Sequence, residues 1–164
     1  MRDSGVLEAL SRGVYRLTEK GPMSNPDLVT VASRVPQGVI CLISALSFHN
    51  LTTQIPHSIS IALCRTKRNP SLKYPSLTIY RYDEISYQAG IEEQLIDGVI
   101  VKVYCPEKTL ADCFKFRNKI GMDIVLEALK RYREHQAFKT KELMKYAAVC
   151  RVEKIMKPYL EALL

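Results

Sequence analysis

The sequence predicts an α+β fold: a small mixed β-sheet with packed helices, a helical C-terminal half, and a β-hairpin in front. Three observations carry that prediction. Between positions 59 and 104, short runs rich in Ile, Val, Leu and Tyr alternate in part with polar residues and are bounded by Pro, Asn and Gly, as strands are. From Pro106 onward, apolar residues recur at helical spacing. The 164 residues hold one core-bearing domain, or one domain and a small appendage.

Taken in order, Val6 and Leu7 begin a short strand, Ser11-Arg12-Gly13 turns, and Val14 to Leu17 returns. Such a ribbon, carrying Arg12 and Arg16, is what a winged helix-turn-helix uses as its wing. A lone hairpin is marginal in water, so this one is expected to lean on the rest of the protein. Residues 1–20 are read as this hairpin unit, 18–27 as a Pro- and Gly-containing linker, and 27–164 as the main domain.

A helix is predicted over Asp27 to Arg34, with Leu28, Val31 and Ala32 on one face. Val35-Pro36-Gln37-Gly38 turns. Val39 to Ile43 reads as a buried strand, and Ser44 as the cap of a helix through His49. His49 and His57 stand alone and are read as structural. Ile59 to Cys64 is a strand, followed by a basic loop in which Arg65, Lys67 and Arg68 suit phosphate. Leu77 to Tyr82 is the next strand: Leu77, Ile79 and Arg81 share one face, and Thr78, Tyr80 and Tyr82 the other. Asp97-Gly98 signals a hairpin joining Glu93–Ile96 to Val99–Tyr104.

Pro106 opens a helix in which Leu110, Cys113, Phe114 and Arg117 form one face. Lys108, Asp112, Lys115 and Lys119 fall on the other side and are expected at the surface. Lys108 and Asp112 are spaced to pair across a turn, worth ~0.3–0.5 kcal/mol when exposed. Gly121 ends the helix and Asp123 caps the next, whose stripe is Ile124, Ala128, Leu129 and Tyr132. Thr140 is the expected N-cap of a third helix. The last runs from Arg151 to Leu164, with Pro158 expected to kink or restart it.

The formal net charge of +7 and pI near 9.2 favour anionic partners, nucleic acid ahead of a membrane surface. Five cysteines occur without a CxxC pair or a Cys/His cluster at zinc spacing, as in a reducing cytoplasm. The polar N-terminus reads as lacking an export signal, and no apolar run approaches the roughly 18–20 residues of a spanning helix. There is no Gly-rich phosphate loop before a helix and no G-x-S-x-G elbow. The carboxylates Asp83, Glu84, Glu92, Glu93 and Asp97 are the candidates for a metal-dependent nuclease, but none is followed by the acid-x-lysine spacing of such folds.

Arg12 to Leu17, Val35 to Leu46, Tyr74-Pro75 and Pro106 to Phe114, in that order, resemble the AbiEi antitoxin family of type IV toxin–antitoxin (abortive infection) systems. The match extends through Arg117-Asn118-Lys119-Ile120-Gly121 and Tyr159-Leu160-Glu161, nearly the whole chain. The resemblance implies an antitoxin that counteracts a nucleotidyltransferase-like toxin, generally without a stable complex, and that takes part in autoregulation of its operon. It implies no enzyme activity, metal or cofactor. Against the family pattern this chain is expected to begin inside the wing, without the recognition helix, which weakens promoter binding.

The candidate contact residues for nucleic acid or a partner are Arg12, Arg16, Arg65, Lys67, Arg68, Arg81, Lys108, Lys115, Arg117 and Lys119, with Asp112 holding Lys108 in place. Tyr15 and Tyr74 are candidates for stacking on bases. The alternatives are a nucleic-acid-binding regulator fragment and a metal-dependent nuclease.

Overall fold

Strand periodicity in the middle of the chain and helical periodicity after it produce a mixed sheet sandwiched between helices. A computed structural model describes residues 7–11, 14–17, 25–135 and 137–163, with the side chains of 7–17 excluded. The strands β1 (Leu7–Ser11) and β2 (Val14–Leu17) pair antiparallel, with Leu7 opposite Leu17 and Glu8 opposite Arg16.

The main sheet has five strands: β3 (Val39–Ile40), β4 (Ile59–Cys64), β5 (Leu77–Tyr82), β6 (Ile91–Ile96) and β7 (Val99–Tyr104). Their order is β5-β4-β3-β7-β6. The β4–β5 and β3–β7 pairs are parallel; β3–β4 and β6–β7 are antiparallel. The mixed sheet predicted for the α+β class is therefore present. Asp97 and Gly98 both have positive φ, 49° and 80°, the backbone that a two-residue hairpin turn requires.

Each face of the sheet carries its own apolar cluster. On one, α1 (Pro26–Arg34) lays Leu28 and Val31 over Ile59, Ile61, Leu63, Val101 and Val103. On the other, Ala62, Tyr82 and Tyr104 meet a helical layer. It comprises α2 (Leu42–Phe48), α4 (Pro106–Lys115), α5 (Arg117–Ile120), α6 (Met122–His135), α7 (Thr140–Cys150) and α8 (Glu153–Leu163). A short helix, α3 (Glu84–Gln88), follows β5 and has no counterpart in the sequence reading.

The helix α4 is the hub. It touches α2, α5, α6, α7 and α8, and every residue from Glu107 to Phe114 is buried. Enclosure on all sides overturns the expectation of a solvent-facing side. Lys108 and Asp112 are both fully buried, whereas Arg117 is half-buried. The helix also breaks at Phe116, where the predicted single helix becomes α4 and α5.

Three predicted caps differ too. Cys41 occupies the N-cap of α2, and Ser44 Oγ instead accepts a hydrogen bond from Ser60 N at 2.8 Å, tying α2 to β4. Asp123 lies in the first turn of α6, and Lys139, not Thr140, occupies the N-cap of α7. Arg151 does not open α8. It stands left-handed (φ 62°) as the C-cap of α7, and α8 runs through Pro158.

Candidate nucleic-acid interface

Parallel pairing makes β4 and β5 end together. Their next residues, Arg65 and Asp83, therefore lie side by side, with Arg65 N donating to Tyr82 O at 3.0 Å. Asp83 caps α3: its Oδ1 accepts from Ser86 N at 2.8 Å. That bond, and then the nearby charges of Lys115, Arg65 and Arg151, hold its carboxyl below the usual range.

These groups border a groove of about 940 Å³. Arg65 comes from the end of β4, Lys115 and Arg117 from the α4–α5 junction, and Arg151 from the turn between α7 and α8. Asp83 and Glu84 are its carboxylates, and Ile85, Val149, Val152 and Ile155 supply apolar lining. Among the described residues, none of the four cations is in an ion pair. Arg117 Nη1 donates to Phe114 O at 2.8 Å, anchoring the guanidinium to the end of α4. Four cations against two engaged carboxylates give the groove a positive field that favours anions.

A row of rings runs from the core to this surface. Tyr104 stacks on Tyr82 (5.7 Å between centroids), Tyr82 on Phe116 (5.8 Å), and Phe116 meets Tyr80 edge-on (5.2 Å). Cations stand at both ends. Inside, Lys108 Nζ lies 3.9 Å from the Tyr104 ring centre. Outside, Lys119 Nζ lies 5.8 Å from Phe116 and 5.9 Å from Tyr80, and Lys115 Nζ is 6.0 Å from Phe116. Cations over ring faces are attracted by the ring quadrupole.

Lys108 belongs to the core. Its Nζ donates to Asp112 Oδ2 at 2.9 Å, and Cys150 Sγ donates to Asp112 Oδ1 at 3.1 Å. Burial, the largest influence, raises the Asp112 carboxyl, and the Lys108 charge opposes it. Lys108 is therefore withdrawn from the set of surface contacts, and Asp112 supports a buried cation rather than an exposed one.

The remaining candidates separate. Arg65, Lys115 and Arg117 converge on the groove, with Lys119 beside it. Lys67 and Arg68 are exposed in the loop after β4. Arg81 holds that loop in shape: its guanidinium donates to Cys64 O (3.1 Å), Lys67 O (2.6 Å) and Asn69 Oδ1. Arg12, and the side chains of Arg16 and Tyr15, lie outside the described residues. Tyr74 is exposed, away from the groove lining.

Arg151 is the groove residue that the sequence reading missed. Its left-handed backbone is unusual for a side chain other than Gly or Asn, and no local motif announces it. His49 has a structural partner: its Nε2–H donates to Tyr104 O at 2.8 Å, and burial lowers its pKa. Among the described residues, no three His, Cys, Asp or Glu side chains come together as a metal-holding group, and no helix is long and apolar enough to cross a membrane. No family model matches the sequence, and no curated protein matches it significantly.

Proposed function

We propose that this chain is the antitoxin component of a type IV toxin–antitoxin system, acting in the cytoplasm against a nucleotidyltransferase-like toxin and taking part in autoregulation of its operon. One observation carries the reading. Three of the sequence blocks that resemble AbiEi antitoxins meet in space. Val39, Leu42 and Leu46 of the Val35–Leu46 block share one apolar cluster with Leu110, Ala111 and Phe114 of the Pro106–Phe114 block and Leu160 of the Tyr159-Leu160-Glu161 block. The Tyr159 ring lies 5.5 Å from Phe114. Blocks that specify one another's packing are what a shared domain architecture requires.

On this reading the chain is not an enzyme, and its working surface is the set of cations at the groove: Arg65, Lys115, Arg117 and the neighbouring Lys119. The hairpin with Arg12 and Arg16 adds contacts to promoter DNA.

The test is co-expression. A nucleotidyltransferase toxin of the kind the resemblance implies is induced alone and together with the chain at matched toxin level. Growth arrest by the first and recovery with the second are expected. Arrest that persists with the chain present overturns the reading.

A further inference from the structure

We propose that the groove and the adjoining Tyr80–Phe116 pair bind single-stranded nucleic acid, with phosphates on Arg65, Lys115, Arg117 and Arg151 and bases against the rings. This names a ligand for the surface invoked above, but it rests on the geometry of that surface and not on antitoxin identity.

The cations come from three separate stretches of chain and line one open groove of about 940 Å³. That spread suits a run of phosphates better than one compact anion. The two carboxylates of the groove are engaged elsewhere. Asp83 accepts from Ser86 N, and Glu84 accepts from Cys64 Sγ and Gln88 Nε2.

Lys115 joins the two halves of the site. It lines the groove, and its Nζ also lies 6.0 Å from the Phe116 ring. Phe116 and Tyr80 are half-buried, so the core holds the rings while part of their surface stays open. Lys119 stands over the same pair. A positive groove beside fixed aromatic rings is the combination that receives an unpaired strand: cations follow the backbone, and any base stacks. In a duplex the base faces are already stacked on one another, so the rings favour the unpaired strand.

Fluorescence anisotropy of the full chain with labelled strands of about twelve nucleotides tests this. Uridine and thymidine homopolymers are compared with a duplex of the same length. Single strands are expected to bind at least tenfold more tightly than the duplex. Four phosphate contacts give a salt slope of about −2.8, or about a 50-fold loss of affinity between 50 and 200 mM salt.

The double variant Arg65→Glu/Lys115→Glu should lose at least tenfold and flatten the slope. Arg151→Asn, which tolerates the left-handed backbone, should lose affinity in the same sense. Lys130→Glu/Lys141→Glu makes the same charge change at exposed positions elsewhere and should stay within twofold of the parent. Circular dichroism verifies that each variant folds.

Tighter binding of the uridine strand identifies RNA; equal binding identifies the shared phosphodiester and base chemistry. Absence of binding at low salt, equal or tighter duplex binding, or an equal loss in the Lys130/Lys141 control overturns the proposal. Those outcomes are independent of the growth assay. Failed recovery from the toxin with strand binding intact removes the antitoxin reading alone.

Discussion

The ammonium of Lys108 lies 2.9 Å from the carboxylate of Asp112, one helical turn away, and neither side chain reaches solvent. The pair is completed by the Tyr104 ring at 3.9 Å and the Cys150 thiol at 3.1 Å, so it forms a polar centre inside the α4 hub. Its energetics differ from those of a surface pair, because removing either charge strands the other in a dry site.

Lys108→Met should therefore destabilise the protein by about 3–5 kcal/mol. The double variant Lys108→Met/Asp112→Leu should recover most of that loss, since an apolar pair of similar size has no desolvation cost. Urea unfolding of the parent and both variants measures the difference. Equal losses in the single and double variants would contradict the stranded-charge account.

The pH dependence has a definite sign. The folded Asp112 carboxyl is raised above its unfolded value by burial, against the opposing charge of Lys108. Its contribution to stability is complete below the ordinary carboxylate pKa of about 4 and is lost as pH rises through the folded value. Lys108→Met removes the opposing charge and enlarges the shift. The variant's unfolding midpoint should fall more steeply than the parent's as pH rises from about 4 towards 7. Parallel profiles would show that the Lys108 charge does not oppose the upward shift of Asp112.

All five cysteines are free and buried. Burial pushes the thiols of Cys41, Cys105, Cys113 and Cys150 up, and Asp112 adds to this at Cys41, Cys113 and Cys150. Raised and inaccessible thiols react slowly. A disulfide reagent should label the native protein slowly and all five sites at once on unfolding, read by intact mass. Rapid labelling in native buffer would show that α4 and its neighbours open readily.

Two glycines separate backbone strain from crowding. Gly90 and Gly98 have nearly equal φ, 79° and 80°. A Cβ at Gly98 would meet nothing within 4 Å, whereas one at Gly90 would lie 2.6 Å from Lys108 Cβ. Gly98→Ala should cost about 1–2 kcal/mol, the left-handed backbone penalty alone. Gly90→Ala should cost more, because the chain after α3 must withdraw from α4. Thermal melts of the two variants compare them directly.

Much of the architecture could be read from the chain, and each failure has a physical cause. The bounds of β4, β5 and β7 follow from alternation, the start of α4 from Pro106, and the β6–β7 turn from Asp97-Gly98. Arg65, Lys115 and Arg117 were recognisable as candidates. The five-residue helix α3 is too short for periodicity to register. Lys108 and Asp112 were misplaced because a helical wheel assumes a wet side, and α4 has none from Glu107 to Phe114.

Local residue order was thus enough to establish the α+β class, most element bounds and the basic character of the molecule. Folding in three dimensions made Lys108 a core residue and assembled one groove from Arg65, Lys115, Arg117 and Arg151. Periodicity and capping act within a few residues. Burial and electrostatic field depend on groups such as Tyr82, Tyr104 and Cys150, which approach α4 only when the sheet and helices pack.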